Sequence, residues 1–364
     1  MTMKKQFIIL FLLSIHLQSY CQKPFTLTSG ECSDSMLLTI KGKYWQDKES
    51  TSTEISDVLV SGQQSEVIRR MEQVHNLLKE TYQPTGNEGY WHWNTGSHLF
   101  LHNVELTTGI PLCSYSYRCA FEPYGCSRDQ PKEIRVIDAP SWCKVFVNDW
   151  GEMVGNMSKD SSMLINGVPF QMLAPVKEIW KGYELCYQNS QNSRTLLLHR
   201  EGMLPYIPIT RKQYLDYCIK RFNKMFDDML KSSKEMPFST KEQIDETVEK
   251  VIKMKKETIQ NYEKELEQNR DANLLDSAAI VRLLDNMYPD VPIFATGAED
   301  GGMLVTENPA YIRKDLPKYV PQFIVLYWSW ESNFPLLGGA QGEYYSKVME
   351  AHFPIEKLQA MLDK

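Results

Sequence analysis

The chain has 364 residues, of which 42% are hydrophobic and 11% aromatic, and its formal net charge is −6. That is the composition of a folded globular protein. The acidic balance argues against nonspecific nucleic-acid binding, which needs a basic footprint, and against electrostatic docking on anionic lipid.

The N-terminus reads as a secretory signal peptide over residues 1–21. Lys4 and Lys5 supply the charged region, Phe7 to Leu17 the apolar region, and Ser19 and Cys21 the small residues before a cut at Cys21-Gln22. The apolar run has 11 residues, too short for a membrane span that needs roughly 20. No later segment approaches that length without charges, so no transmembrane span is expected. Tyr20 is bulky for a lipoprotein cleavage site, so a lipid anchor at Cys21 is not expected either. The mature chain is therefore secreted or periplasmic. Losing Lys4 and Lys5 takes its charge from −6 to −8.

Three regions follow. Residues 22–209 read as a β-rich, disulfide-tied body with one helix, residues 210–272 as a helical hairpin, and residues 273–364 as a small C-terminal α/β segment packing on the body. The fold class is α+β with an antiparallel N-terminal body. Met36 to Ile40 reads as a short strand. Ser61 and Gln64 make a capping box for a helix whose Val67, Met71, Val74 and Leu78 recur at helical spacing, ended by Pro84. From Gly89 to about Arg200 the signal is β. Apolar runs flank Asn166-Gly167, a short-range hairpin signal, and Tyr183–Tyr187 and Thr195–Leu198 make a second hairpin.

Thr210 with Gln213 caps the next helix. Its stripe is Leu215, Cys218 or Ile219, Phe222, Met225 or Phe226, and Met229. Ser239 with Glu242 caps a long charged helix with a thin stripe through Ile244, Val248, Val251 or Ile252, Ile259, Tyr262 and Leu266. The four-apart pairs Glu246–Lys250 and Glu249–Lys253 support it. Such a hairpin suits projection from a globular body. Asp276 to Leu284 reads as a short helix and Pro289 to Gly302 as a loop. Met303–Val305 and Gln322–Tyr327 read as strands, and Tyr344–Ala351 and Ile355–Met361 as helices.

Seven cysteines remain after residue 21, four of them Cys113, Cys119, Cys126 and Cys143, with five, six and sixteen residues between them. Export makes disulfides the reading for that cluster, and metal binding would want closer pairs. Connectivity stays open. Cys218 lies on an apolar stripe and reads as a buried thiol.

The stretch from Tyr90 to His102 carries the candidate site. His92, His98 and His102 lie within it, beside Trp91 and Trp93. On a strand, His98 and His102 share a face. Three imidazoles can ligate zinc and leave a position for water, although no H-E-x-x-H pattern is present. Alternatively Trp91, His92, Trp93, His98 and His102 form a ligand-binding surface, or simply an aromatic-rich strand. Arg211, at the first turn after Pro205 and Pro208, is a further candidate ligand contact. No G-x-S-x-G, P-loop or G-x-G-x-x-G occurs. Ser141-Trp142-Cys143-Lys144 matches S-x-x-K without its companion motifs, and Lys144 beside Cys143 could activate the thiol. Glu299-Asp300 before Gly301 reads as a solvated acidic turn.

Gly202 to Leu215 and Asn308-Pro309-Ala310-Tyr311 together resemble a group of uncharacterised secreted bacterial proteins. The resemblance implies an envelope or secreted setting and brings no activity or ligand. The functional expectation is a noncatalytic exported protein that binds a protein partner or a small-molecule or glycan ligand. The alternative is a secreted hydrolase, zinc-assisted through the three histidines.

Overall fold

Strand β4 (Tyr115–Cys126) is the spine of the molecule in the computed structural model. The structure describes residues 25–26, 33–48, 62–95, 112–126, 133–138, 140–149, 153, 164–165, 168–187, 192–235, 240–282, 292–295, 301–331 and 339–364. Along one edge β4 pairs antiparallel with β3 (Asn87–Thr95), which in turn pairs parallel with β2 (Tyr44–Gln46). Along the other edge it pairs with β5 (Glu133–Val136) and then β6 (Ser141–Val147). β1 (Phe25–Thr26) flanks β5. Beyond β6 lie β16 (Ile324–Ser329), β12 (Ser193–Leu198), β11 (Tyr183–Cys186) and β10 (Val176–Trp180), all antiparallel. These ten strands are the main sheet among the described residues. β16 lies at its centre, so the C-terminal residues complete the body rather than resting on it.

Strand alternation sorts the side chains of this sheet onto two faces. Tyr115, Tyr117, Cys119 and Phe121, with Cys143, Val145, Val147, Ile324, Leu326 and Trp328, make one buried face. Helix α2 (Gln63–Thr81) covers it through the stripe Val67, Met71, Val74 and Leu78, each essentially inaccessible to solvent. Burying such side chains stabilises the fold by roughly 1.5–3 kcal/mol each. Helices α5 (Gly339–His352) and α6 (Ile355–Gln359) cover the same face through Tyr345, Met349, Ile355 and Leu358.

Phe146, Leu197 and Val325 point to the other face, where a second sheet packs on them. In that sheet β15 (Gly301–Glu307) has β13 (Tyr206–Pro208) and β14 (Ile280–Arg282) along one edge and β9 (Gln171–Met172) along the other. A Cβ at Gly302 would lie 2.6 Å from the Leu173 carbonyl oxygen, so glycine admits this close approach. The outer face of the small sheet meets the hairpin of α3 (Arg211–Lys234) and α4 (Lys241–Asp271) through Tyr214, Leu215, Cys218 and Tyr262. The order is thus helices, large sheet, small sheet, helical hairpin, an α+β architecture. A separate two-stranded ribbon pairs β7 (Leu164–Ile165) antiparallel with β8 (Val168–Pro169); Asn166 and Gly167 lie outside the described residues.

Both hairpin helices begin with complete capping boxes, Thr210/Gln213 and Thr240/Gln243, the second one residue beyond the expected Ser239/Glu242. Phe222 stacks on Tyr262 at 5.3 Å, and Lys255 bonds Asp227 at 2.6 Å. Of the alternatives Met225 and Phe226 only Phe226 is buried, and Met229, a full member of the expected stripe, is exposed because the stripe's far end leaves the packed region. α4 has 31 residues, about 46 Å at 1.5 Å per residue, and it joins the core shared with the small sheet through Tyr262 and Leu266.

Three local expectations fail. Helix α2 starts from Gly62, at a φ of 95° and with no side-chain cap, instead of from the expected Ser61/Gln64 capping box. Ser33, Asp34 and Thr39 favour turn and cap geometry, and Met36 falls in helix α1 (Asp34–Leu37), not in a strand. Ile280–Arg282 is β14 rather than helix, because β15 offers its free edge there. No helix among the described residues is long and apolar enough to cross a membrane.

Candidate functional site

The most distinctive surface begins on β4, at residues of opposite parity to the core. Arg118 stands directly across from His92 on β3 and from Lys144 on β6, and Lys144 across from Tyr327 on β16. His92, Arg118, Lys144 and Tyr327 therefore form one row across four strands on the face away from α2. All four are half-buried. Their neighbouring row, Asn94, Ser116, Phe146 and Val325, runs beneath the small sheet. On the other side lie Tyr90, Ala120 and Trp142, then Glu122.

Aromatic rings surround the cations. The Lys144 Nζ sits 4.8 Å from the Tyr327 ring centre and 5.3 Å from that of Trp142. The Arg118 guanidinium lies 5.6 Å from the Phe146 ring. Each contact stabilises the cation through the ring's quadrupole. Burial pushes His92 below its ordinary pKa and Arg118 adds to this, while Asp47 pulls the other way. The imidazole is thus neutral at pH 7. Burial, then Asp138 and Asp47, push Glu122 up to about 7. A carboxyl with that pKa is half-protonated near neutrality and can donate as well as accept.

The expected ligand residues divide between faces. His92 is on the row just described. Trp91 and Trp93, one residue to either side, point into the helix-covered core, where Trp91 stacks on His75 at 4.1 Å. His98 and His102 lie outside the described residues. Among the described residues no three His, Cys, Asp or Glu side chains are grouped as metal ligands. Arg211 turns inward: its guanidinium donates to the Asn269 side-chain oxygen at 2.8 Å and lies over Phe294 at 4.7 Å. Ser141 and Lys144 lie three apart on a strand and point to opposite faces, which rules out joint action. Glu299 and Asp300 are outside the described residues.

Among the cysteines, Cys113, Cys119, Cys143, Cys186 and Cys218 are buried free thiols. Cys126 is disulfide-bonded. Cys218 sits on the buried face of α3, as its stripe position implied.

Arg118, Glu122, Lys144 and Tyr327 were not singled out as a site in the sequence. Their signal was present: Ser116, Arg118, Ala120 and Glu122 alternate with Tyr117, Cys119 and Phe121, which puts two charges on one face of a central strand. Comparison with protein-family models, with curated proteins and with solved structures found no match.

Proposed function

We propose that this is an exported binding protein whose ligand is an anion with an apolar ring face, such as an acidic saccharide. One observation carries the reading: Arg118 and Lys144 are direct cross-strand neighbours at half-buried positions. An anion reaching both side chains would be held by charge-assisted hydrogen bonds, in addition to the contacts that each already makes within the protein. Trp142 and Tyr327 add flat surfaces beside it, and neutral His92 adds a donor and an acceptor. On a chain of net charge −6 the cationic pair is a local feature, not part of a general basic surface.

The test is calorimetric titration with a uronic-acid tetrasaccharide and its neutral counterpart. The acidic sugar binds more tightly, and its affinity falls with added salt. Arg118→Gln and Lys144→Gln each weaken it about tenfold, the loss of one charge-assisted contact. Equal binding of the two sugars, or none by either, rejects the reading. Export is checked independently by N-terminal sequencing of the exported product, which should begin at Gln22.

A hydrolytic reading has its own observation in Glu122. Its half-protonated carboxyl resembles a general acid. That reading expects slow cleavage of the bound saccharide, abolished in Glu122→Gln while binding persists.

A further inference from the structure

Cys119 on β4 and Cys143 on β6 are direct partners in the antiparallel register. Both side chains point to the helix-covered face, and both are fully buried. Directly opposed residues in antiparallel strands have Cα atoms about 4.5 or 5.5 Å apart, according to the type of pair. A disulfide accepts Cα separations of roughly 4.4–6.8 Å, a range that contains both values. The other free thiols are placed differently: Cys113 precedes β4, Cys186 lies in the core between the two sheets, and Cys218 is on α3. Cys126, farther along the same strand as Cys119, is already disulfide-bonded.

We propose that Cys119 and Cys143 are joined as a cross-strand disulfide in the mature protein. In forming it, the two thiols release two protons and two electrons and make one S–S bond. The acceptor is a small-molecule or protein disulfide, whose own S–S bond breaks to leave two thiols. Attack requires a thiolate. Burial pushes Cys143 up to about 12 and holds Cys119 well above its ordinary value, with Cys143 itself contributing. Once folded, the pair is therefore nearly inert. Exchange must happen before α2 and α5 close over the strands, and protein that folds reduced stays reduced at this pair.

The experiment is oxidative refolding of the unfolded, reduced chain in a glutathione redox buffer. Alkylation and chymotryptic mass mapping follow. Chymotrypsin separates Arg118–Phe121 and Cys143–Phe146 from each other and from Cys126. The expected result is a linked pair of those two peptides, converted to the separate peptides by reduction. Adding oxidised glutathione to reduced, already folded protein should give at least tenfold less of the linked species in the same time. Separately alkylated Cys119 and Cys143 peptides, in a sample where Cys126 is crosslinked, would overturn the proposal. Equally fast linkage in the folded protein would overturn its folding order.

Discussion

The side-chain oxygen of Asn148 accepts the backbone N–H of Gln322 at 2.8 Å, while its amide nitrogen donates to the carbonyls of Cys113 and Val320 at 3.2 and 3.1 Å. One fully buried residue at the end of β6 thereby ties together the chain entering β4 and the chain entering β16. Its φ of 54° is left-handed, a conformation asparagine tolerates and alanine does not. Asn148→Ala strands three backbone groups away from water and adds backbone strain, so it should cost about 3 kcal/mol or more. Asn148→Gly removes the same bonds without the strain and should be about 1 kcal/mol less harmful. Urea unfolding midpoints measure both. An alanine variant within 0.5 kcal/mol of the parent (about the scatter of neutral surface changes) would contradict the role given to this side chain.

His75 gives a pH dependence whose sign follows from its surroundings. It lies on α2, shares a 2.9 Å hydrogen bond with the Tyr117 hydroxyl, stacks on Trp91 and meets Tyr44 edge-on. Burial, then Lys79, lower its pKa from 6.5 to about 4. Above pH 6.5 both folded and unfolded chains hold it neutral. Between 6.5 and 4 only the unfolded chain takes up the proton, so stability falls as pH falls, by at most about 1.4 kcal/mol per pH unit. In His75→Gln this acid slope should disappear, although the variant is less stable overall. Chemical unfolding at pH 4.5, 5.5 and 6.5 reads the slope directly. A slope unchanged from the parent would mean that His75 does not titrate in this window.

Glu122 acts in the opposite sense over nearly the same window. Its folded pKa of about 7 stands above the unfolded value of 4.5. Below 4.5 both states are protonated. Between 4.5 and 7 the unfolded chain ionises first, so stability falls as pH rises and levels off above 7. In the parent the two groups partly cancel between 4.5 and 6.5. Glu122→Gln removes the penalty at high pH, so it should be more stable than the parent at pH 8 and near it at pH 4.5. An equal difference at both pH values would show that folding does not raise the pKa of Glu122.

Much of the framework was legible because local chemistry and packing agree there. Thr210/Gln213 capped α3 as written, and Val67, Met71, Val74 and Leu78 are buried at their helical spacing. The chain around β14 misled because a turn at Ser277 and an available edge on β15 outweigh a weak helical pattern. The site was harder to read for a reason particular to sheets. A strand's pattern separates its two faces but does not say what covers each one. Trp91, His92 and Trp93 read as a single cluster, yet one-residue alternation sends the indoles under α2 and the imidazole to the other side. The Arg118–Lys144 pair depends on a register between strands that the intervening sequence does not specify.

Arg211 separates a structural role from a binding role. Its guanidinium bonds Asn269 near the end of α4 and covers the ring of Phe294, and its backbone N–H donates to Ser277. The side chain thus joins the start of α3, the end of α4 and the margin of the small sheet. Arg211→Ala loses one charge-assisted hydrogen bond and one cation–ring contact, and should destabilise the protein by about 2 kcal/mol. Arg211→Lys keeps the charge but not the planar group that covers Phe294 while bonding Asn269, so it should recover less than half of that loss. Affinity for the acidic tetrasaccharide should stay within twofold of the parent in both variants, because Arg211 is on the hairpin side of the small sheet and the cationic row is on the main sheet. Loss of affinity with unchanged thermal stability would instead make Arg211 a ligand contact and move the binding surface to the hairpin.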